Sequence, residues 1–135
     1  MDRLFLDANV LFTAAHHGTG KSAFLFDMLH LERWKLVSSE YAIAEARRNL
    51  VAKYPDRAAT LDALVRMLTV SPQPARGDCE IELPDKDQPI FLAAKAAGAT
   101  HLLTGDLRHF KPHMNRPRLT SAIVVQTVAE YLAGL

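Results

Sequence analysis

Apolar positions along this chain fall into short dense runs separated by longer stretches with helical spacing. Leu4-Phe5-Leu6 is such a run, closed by Asp7, and predicts a buried strand. From Ser22 onward, Phe24, Leu25, Met28 and Leu29 recur at helix spacing and predict a helix with that stripe facing inward. Leu36-Val37 predicts a second strand. Ser38 or Ser39 then caps a helix running to about Lys53, where Tyr54-Pro55 interrupts it. Asp56 reads as the cap of a further helix with Leu61, Leu64, Val65 and Leu68 on its inner face. Residues 71–89 hold four of the seven prolines, so this stretch reads as a connector with one edge strand around Ile81. Ile90, Phe91, Ala93, Ala94 and Ala97 predict the next helix, stopped by Gly98. His101-Leu102-Leu103 predicts a strand ending in the turn Thr104-Gly105-Asp106. Ile123-Val124-Val125 predicts another, and Ala129 to Leu132 a closing helix. Strands separated by helices require crossover connections, so the expected fold class is α/β, with a central, mainly parallel sheet flanked by helices in three layers.

Composition narrows this picture. The 135 residues suit a single domain, 1–135, and 49% hydrophobic against 23% charged residues is a globular balance that excludes disorder. A net charge of +1 does not mark a nucleic-acid binder, so any such argument must rest on how charge is distributed. Cys79 is the only cysteine, which excludes an internal disulfide and a multi-cysteine zinc site. No apolar run approaches the roughly 18 residues of a membrane span. The opening MDRLFLDANV is broken by Asp7 and Asn9 and does not read as a signal peptide. The expectation is a soluble, cytoplasmic protein without membrane contact.

In open parallel sheets, ligands bind beyond the carboxyl ends of the strands. Asp7 and Asp106 each follow a predicted strand, Asp87 opens a predicted helix, and Glu45 lies inside one. Together they would suit Mg²⁺ or Mn²⁺, which take carboxylate oxygens and keep water for a substrate phosphate. Without a cation, gathered carboxylates would repel and raise one another's pKa values. Taken singly, each acid has an ordinary explanation. Asp7 would cap the helix that starts near Asn9, and Asp87 would cap a helix with Pro89 at its second position. Glu45 sits roughly opposite the Ile43/Leu50 stripe and reads as a surface acid, and Asp106 reads as turn chemistry. Their joint placement is the signal.

The segments Leu4-Phe5-Leu6-Asp7-Ala8-Asn9-Val10-Leu11, Asp87-Gln88-Pro89-Ile90-Phe91-Leu92-Ala93-Ala94 and Leu102-Leu103-Thr104-Gly105-Asp106-Leu107 resemble three signature blocks of PIN domains. Ala42-Ile43-Ala44-Glu45-Ala46-Arg47-Arg48 resembles the remaining block, and the ordered set spans essentially the whole chain. PIN domains are small metal-dependent nucleases that include the VapC-type toxins of bacterial toxin–antitoxin pairs. The resemblance implies that Asp7, Glu45, Asp87 and Asp106 are the metal-binding and catalytic acids, with Asn9 and Thr104 as supporting polar groups. Asp85 competes with Asp87 for the third place, but Ile90, Ala93 and Ala94 follow Asp87 at the family's spacing. The implied activity is Mg²⁺- or Mn²⁺-dependent cleavage of RNA. The implied partners are the RNA, an antitoxin protein and a second copy of the chain in a homodimer.

Charge distribution fits such an activity. Residues 78–87 carry Asp78, Glu80, Glu82, Asp85 and Asp87 against Lys86 alone, whereas 108–118 carry Arg108, Lys111, Arg116 and Arg118 with His109 and His113 and no acid. The basic segment is either an RNA-backbone track, with Arg108 and Lys111 nearest Asp106, or a solvated loop. Arg47 and Arg48 are open to the same two readings. Rival signals are weaker. Ala15-His16-His17-Gly18-Thr19-Gly20-Lys21-Ser22 matches a relaxed phosphate-binding loop, which would make this a nucleotide-binding protein. However, its leading Gly is replaced by Ala, and the preceding strand ends at Asp7, too early to feed the loop. A non-catalytic interaction domain is the third reading, against which the complete set of acids speaks. The histidines do not form a zinc site: His16 and His17 are adjacent, and His109 and His113 lack a third ligand at suitable spacing. Trp34 reads as core or interface, and Cys79 as buried or incidental.

Overall fold

The computed structural model describes residues 1–74 and 79–135. The chain opens with β1 (Asp2–Leu6), α1 (Ala8–His16) and α2 (Lys21–Asp27). It continues through β2 (Trp34–Ser39), α3 (Glu40–Lys53), α4 (Ala58–Val65) and β3 (Thr69–Ser71). After the connector come α5 (Gln88–Ala96), β4 (His101–Leu103), α6 (Leu107–Phe110), β5 (Val124–Gln126) and α7 (Val128–Ala133). Among the described residues the strands form one five-stranded sheet in the order β3-β2-β1-β4-β5, with every pairing parallel. No described helix is long and apolar enough to cross a membrane.

Leu4, Phe5 and Leu6 are fully buried although successive side chains point to opposite sides, so both faces of β1 are covered. That explains why the strand reads as a continuous apolar run rather than an alternating one. The chain builds outward from β1 on one side through β2 and β3, then returns to place β4 and β5 on the other. The junction of β1 and β4 is therefore the switch point of the topology, where open α/β sheets leave a crevice beyond the strand ends. Leu6 pairs with Leu103, so Asp7 and Thr104 leave the sheet side by side at its carboxyl edge.

Helix boundaries follow local chemistry. Ser39 caps α3, its side chain accepting from the Ala42 N–H at 3.2 Å. Ser38, the other capping option, stays in β2 and donates to the Leu6 carbonyl at 2.8 Å. Gly98 stops α5 with φ at +68°, a left-handed conformation that glycine adopts without strain. Trp34 is core: it is buried, and its indole N–H donates to the Leu25 carbonyl at 3.0 Å, tying α2 to β2.

Four expectations need correction. Asp56 does not cap a helix but lies within the 3₁₀ turn Pro55–Arg57 that leads into α4, because Pro55 with its fixed φ starts the helical path one residue earlier. The edge strand is Thr69–Ser71, not the region of Ile81, which is buried without pairing; β3 fits against β2 just before Pro72, where no further ladder donor is available. In α2 the buried face is Ala23, Leu25 and Phe26, while Phe24 is exposed and Met28 and Leu29 lie past the helix end. The run Ile123–Val125 shifts by one residue, since Ile123 precedes β5.

Ser39→Ala should destabilise the protein by about 1 kcal/mol, because a buried Ala42 N–H loses its partner at the start of the helix that carries Glu45. Urea denaturation should show a lower midpoint with an unchanged slope.

Candidate metal centre

The carboxyl edge of β1 and β4 carries a hydrogen-bond lattice built on Asp7. This side chain is 3% exposed. Its Oδ1 accepts from the Ala8 N–H at 2.7 Å and so caps α1, while its Oδ2 accepts from the Thr104 hydroxyl at 2.8 Å and the Asn9 amide at 3.2 Å. The Thr104 hydroxyl in turn accepts from the Asp106 N–H at 3.0 Å. Asn9 Oδ1 accepts from the Gly105 N–H at 2.6 Å, which latches the turn after β4 onto the first turn of α1. A Cβ at position 105 would stand 3.2 Å from Asn9 Oδ1, so this close approach favours glycine. Asp7 thus serves as cap and as site residue at once.

Thr104 links the two strand ends of this edge. It is fully buried and hydrogen-bonds both Asp7 and the Asp106 backbone, which makes it a strut between two strand ends rather than a group that meets a substrate.

Asp87 stands at the start of α5, with Pro89 at the second helical position as expected. Its carbonyl accepts from the Ile90 and Phe91 N–H groups, but its carboxylate caps nothing. That carboxylate turns instead toward Asp106. His109 Nδ1 lies 2.8 Å from Asp87 Oδ2 and 2.8 Å from Asp106 Oδ2. Nδ1 is thus shared between the two acids, and the buried Asp87 Oδ2 has no partner other than this contact. Asp106 Oδ1 also accepts from the His109 backbone N–H at 3.2 Å, which caps α6.

Asp7, Glu45, Asp87 and Asp106 all line one cavity of about 350 Å³, together with Asn9, Asn49, Lys53 and Lys86. The four acids named from sequence therefore meet, and Glu45 is half-buried rather than a surface group. Asp85 is exposed and lies outside the lining, whereas Asp87 is part of it. Arg108 and Lys111 are exposed and outside it too. The cations of the cavity are Lys53 and Lys86, which sequence reasoning passed over. A signal for the first was present: Glu45, Asn49 and Lys53 recur at intervals of four and form one polar stripe along α3. His109 was likewise missed, because its partners are remote acids and not neighbouring histidines. Arg47 is engaged elsewhere, paired with Asp62 at 2.5 Å. The segment Ala15–Ser22 does not build a phosphate loop, since Ala15 and His16 belong to α1 and no strand leads into it. Asp78 lies outside the described residues.

The family model described as PIN domain matches residues 3–108. The chain belongs to the PIN domain family. Its fold is shared with solved structures at low sequence identity. VapBC2 from Rickettsia felis, bound to a DNA fragment from their promoter, superposes with a TM-score of 0.69 at 16% identity, covering 93% of this chain and 98% of that one. DNA-bound VapBC from Salmonella typhimurium gives 0.67 at 16% identity over 95% and 99%. VapC20 of Mycobacterium tuberculosis, a sarcin–ricin loop cleaving toxin, gives 0.54 at 17% identity over 78% and 92%. No curated protein matches the sequence.

The PIN cavity is electrostatically strained in its cation-free form. Burial pushes the Asp7 carboxyl up to about 6; Thr104 and the Ala8 N–H oppose the shift, while Glu45 and Asp87 add to it. Asp87 is also raised, first by burial and then by Asp106, with His109 and Lys86 working against the rise. Tyr41 is raised by burial and by the nearby charges of Glu45 and Asp87.

A carboxyl held above its ordinary value of 3.8 costs nothing while protonated and destabilises the fold as pH climbs toward 6. Asp7→Asn removes that cost, on the order of 3 kcal/mol, and gives back about 1 kcal/mol by weakening the Thr104 hydrogen bond. In chelator, the variant should melt above the parent at pH 7.5, and the advantage should vanish on acidification to pH 4. An advantage that grew on acidification would contradict the charge argument.

Proposed function

We propose that this PIN domain is a divalent-metal-dependent endoribonuclease and the toxin of a toxin–antitoxin pair. The observation that carries the reading is the convergence of Asp7, Glu45, Asp87 and Asp106, from four separate segments, on one cavity. The residues suit a hard dication. Oxygen donors dominate, and the buried Asp87 Oδ2 has no partner but the shared His109 nitrogen. Burial and, secondarily, the neighbouring acids raise Asp7 and Asp87 and disfavour their charged forms, which a positive ion would favour. Asp7, Asp87 and Asp106 would hold the ion, directly or through water. When bound, it supplies Lewis acidity toward a phosphodiester and an activated water.

The chain's own groups set the geometry. Glu45 faces the same space from α3 and orients the attacking water while accepting its proton. Thr104 and Asn9 hold Asp7 in place through the hydrogen bonds described above. Lys53 and Lys86 at the cavity wall bind the nucleic-acid backbone, a sequence-independent source of affinity. The toxin reading is supported by fold likeness to VapC20, described as a sarcin–ricin loop cleaving toxin, and to VapBC assemblies bound to DNA. A cognate antitoxin is the partner that this reading requires.

Purified protein should cleave RNA with Mg²⁺ or Mn²⁺ and stop in chelator. Asp7→Asn and Asp106→Asn should each reduce cleavage at least about a hundredfold while retaining a cooperative melt. Cleavage that persists in both variants would remove the acid cluster from the reaction. Lys53→Ala and Lys86→Ala should each weaken binding to single-stranded RNA and lower the salt slope by about 0.7, whereas Arg108→Ala should leave the slope unchanged.

A further inference from the structure

We propose that His109 is itself a metal ligand, so that Asp87, Asp106 and His109 form a mixed nitrogen–oxygen site that favours Mn²⁺ over Mg²⁺. This rests on the proposed function and deepens it, since it assigns the donor set and the choice of ion. His109 Nδ1 and the two carboxylate oxygens make a compact donor group in which both nitrogen–oxygen separations are 2.8 Å. Adjacent donors of an octahedral ion with bonds near 2.1 Å stand about 3.0 Å apart, so these spacings resemble the edges of a coordination shell.

The hydrogen bonding independently points to a missing positive partner. One imidazole nitrogen lies 2.8 Å from an oxygen of each of two carboxylates, and the buried Oδ2 of Asp87, a residue 7% exposed, has no partner beyond this shared contact. A dication at this point would bind both oxygens and the ring nitrogen at once, with the imidazole in its neutral Nε2–H tautomer so that the Nδ1 lone pair is free for the ion. The ring is already aimed. His109 lies three residues after Asp106, on the same turn, and its backbone N–H is fixed by Asp106 Oδ1. Two carboxylates with water suit Mg²⁺, which dehydrates reluctantly, whereas an imidazole donor shifts preference toward later first-row ions.

The test uses the whole chain and the metal alone. Mn²⁺-loaded protein is examined by pulsed electron paramagnetic resonance for nitrogen coupling from a directly bound imidazole, and Mn²⁺ and Mg²⁺ affinities are measured by calorimetry. The parent should show the nitrogen coupling and bind Mn²⁺ at least about tenfold more tightly than Mg²⁺. In His109→Ala the coupling should disappear, with Mn²⁺ affinity falling about tenfold or more and Mg²⁺ affinity changing far less. The parent spectrum decides the matter even if the variant folds poorly. Mn²⁺ binding without nitrogen coupling would overturn the assignment of His109 and leave the nuclease reading intact. Absence of any Mn²⁺ or Mg²⁺ binding would overturn both.

Discussion

Burial of carboxylates beside one another is the constraint around which this site is organised. Asp7 is 3% and Asp87 7% exposed, burial is the main cause that raises both, and neighbouring acids of the same cavity add to it. Such an arrangement persists only if the backbone cannot relax away from it. The restraint comes from β1, buried on both faces at the centre of the sheet, and from its pairing with β4, which fixes where Asp7 and the turn after Leu103 emerge. Thr104 and Asn9 then cross-link the two strand ends.

Several groups carry two duties, which is how a small domain assembles so polar a centre without leaving backbone donors unsatisfied. Asp7 and Asp106 cap α1 and α6 with one oxygen each and present the other to the site. Asp87 departs from this economy: it occupies a cap position but withholds its carboxylate from the helix, and its buried Oδ2 meets only the His109 nitrogen that Asp106 shares. A cap that does not cap is informative, because the helix N-terminus offered an easy partner and the side chain does not take it.

Much of the architecture was legible in the sequence because the central strands are dense apolar runs and the helices have firm punctuation. Leu4–Leu6, the Ser39 cap and Gly98 each announce an element through a single physical cause. The proline-rich connector was not legible: Ile81 is apolar and buried, and burial alone does not distinguish a paired strand from an irregular segment. The four acids could be named because their positions at strand ends and helix starts follow topology. The rest of the cavity wall could not be read that way. Lys53 depends on the exact facing of α3, Arg108 and Lys111 lie outside the lining despite their proximity in sequence to Asp106, and His109 gains its meaning only from Asp87, which arrives from another element.

The central claim is that these acids hold a single dication between β1 and β4. Anomalous scattering from a crystal grown with Mn²⁺ tests this directly. The account predicts one strong peak within about 2.5 Å of a carboxylate oxygen of Asp106 and of at least one of Asp7 and Asp87. Ordered Mn²⁺ found only outside this cavity, with Asp7 and Asp106 left unliganded, would contradict it.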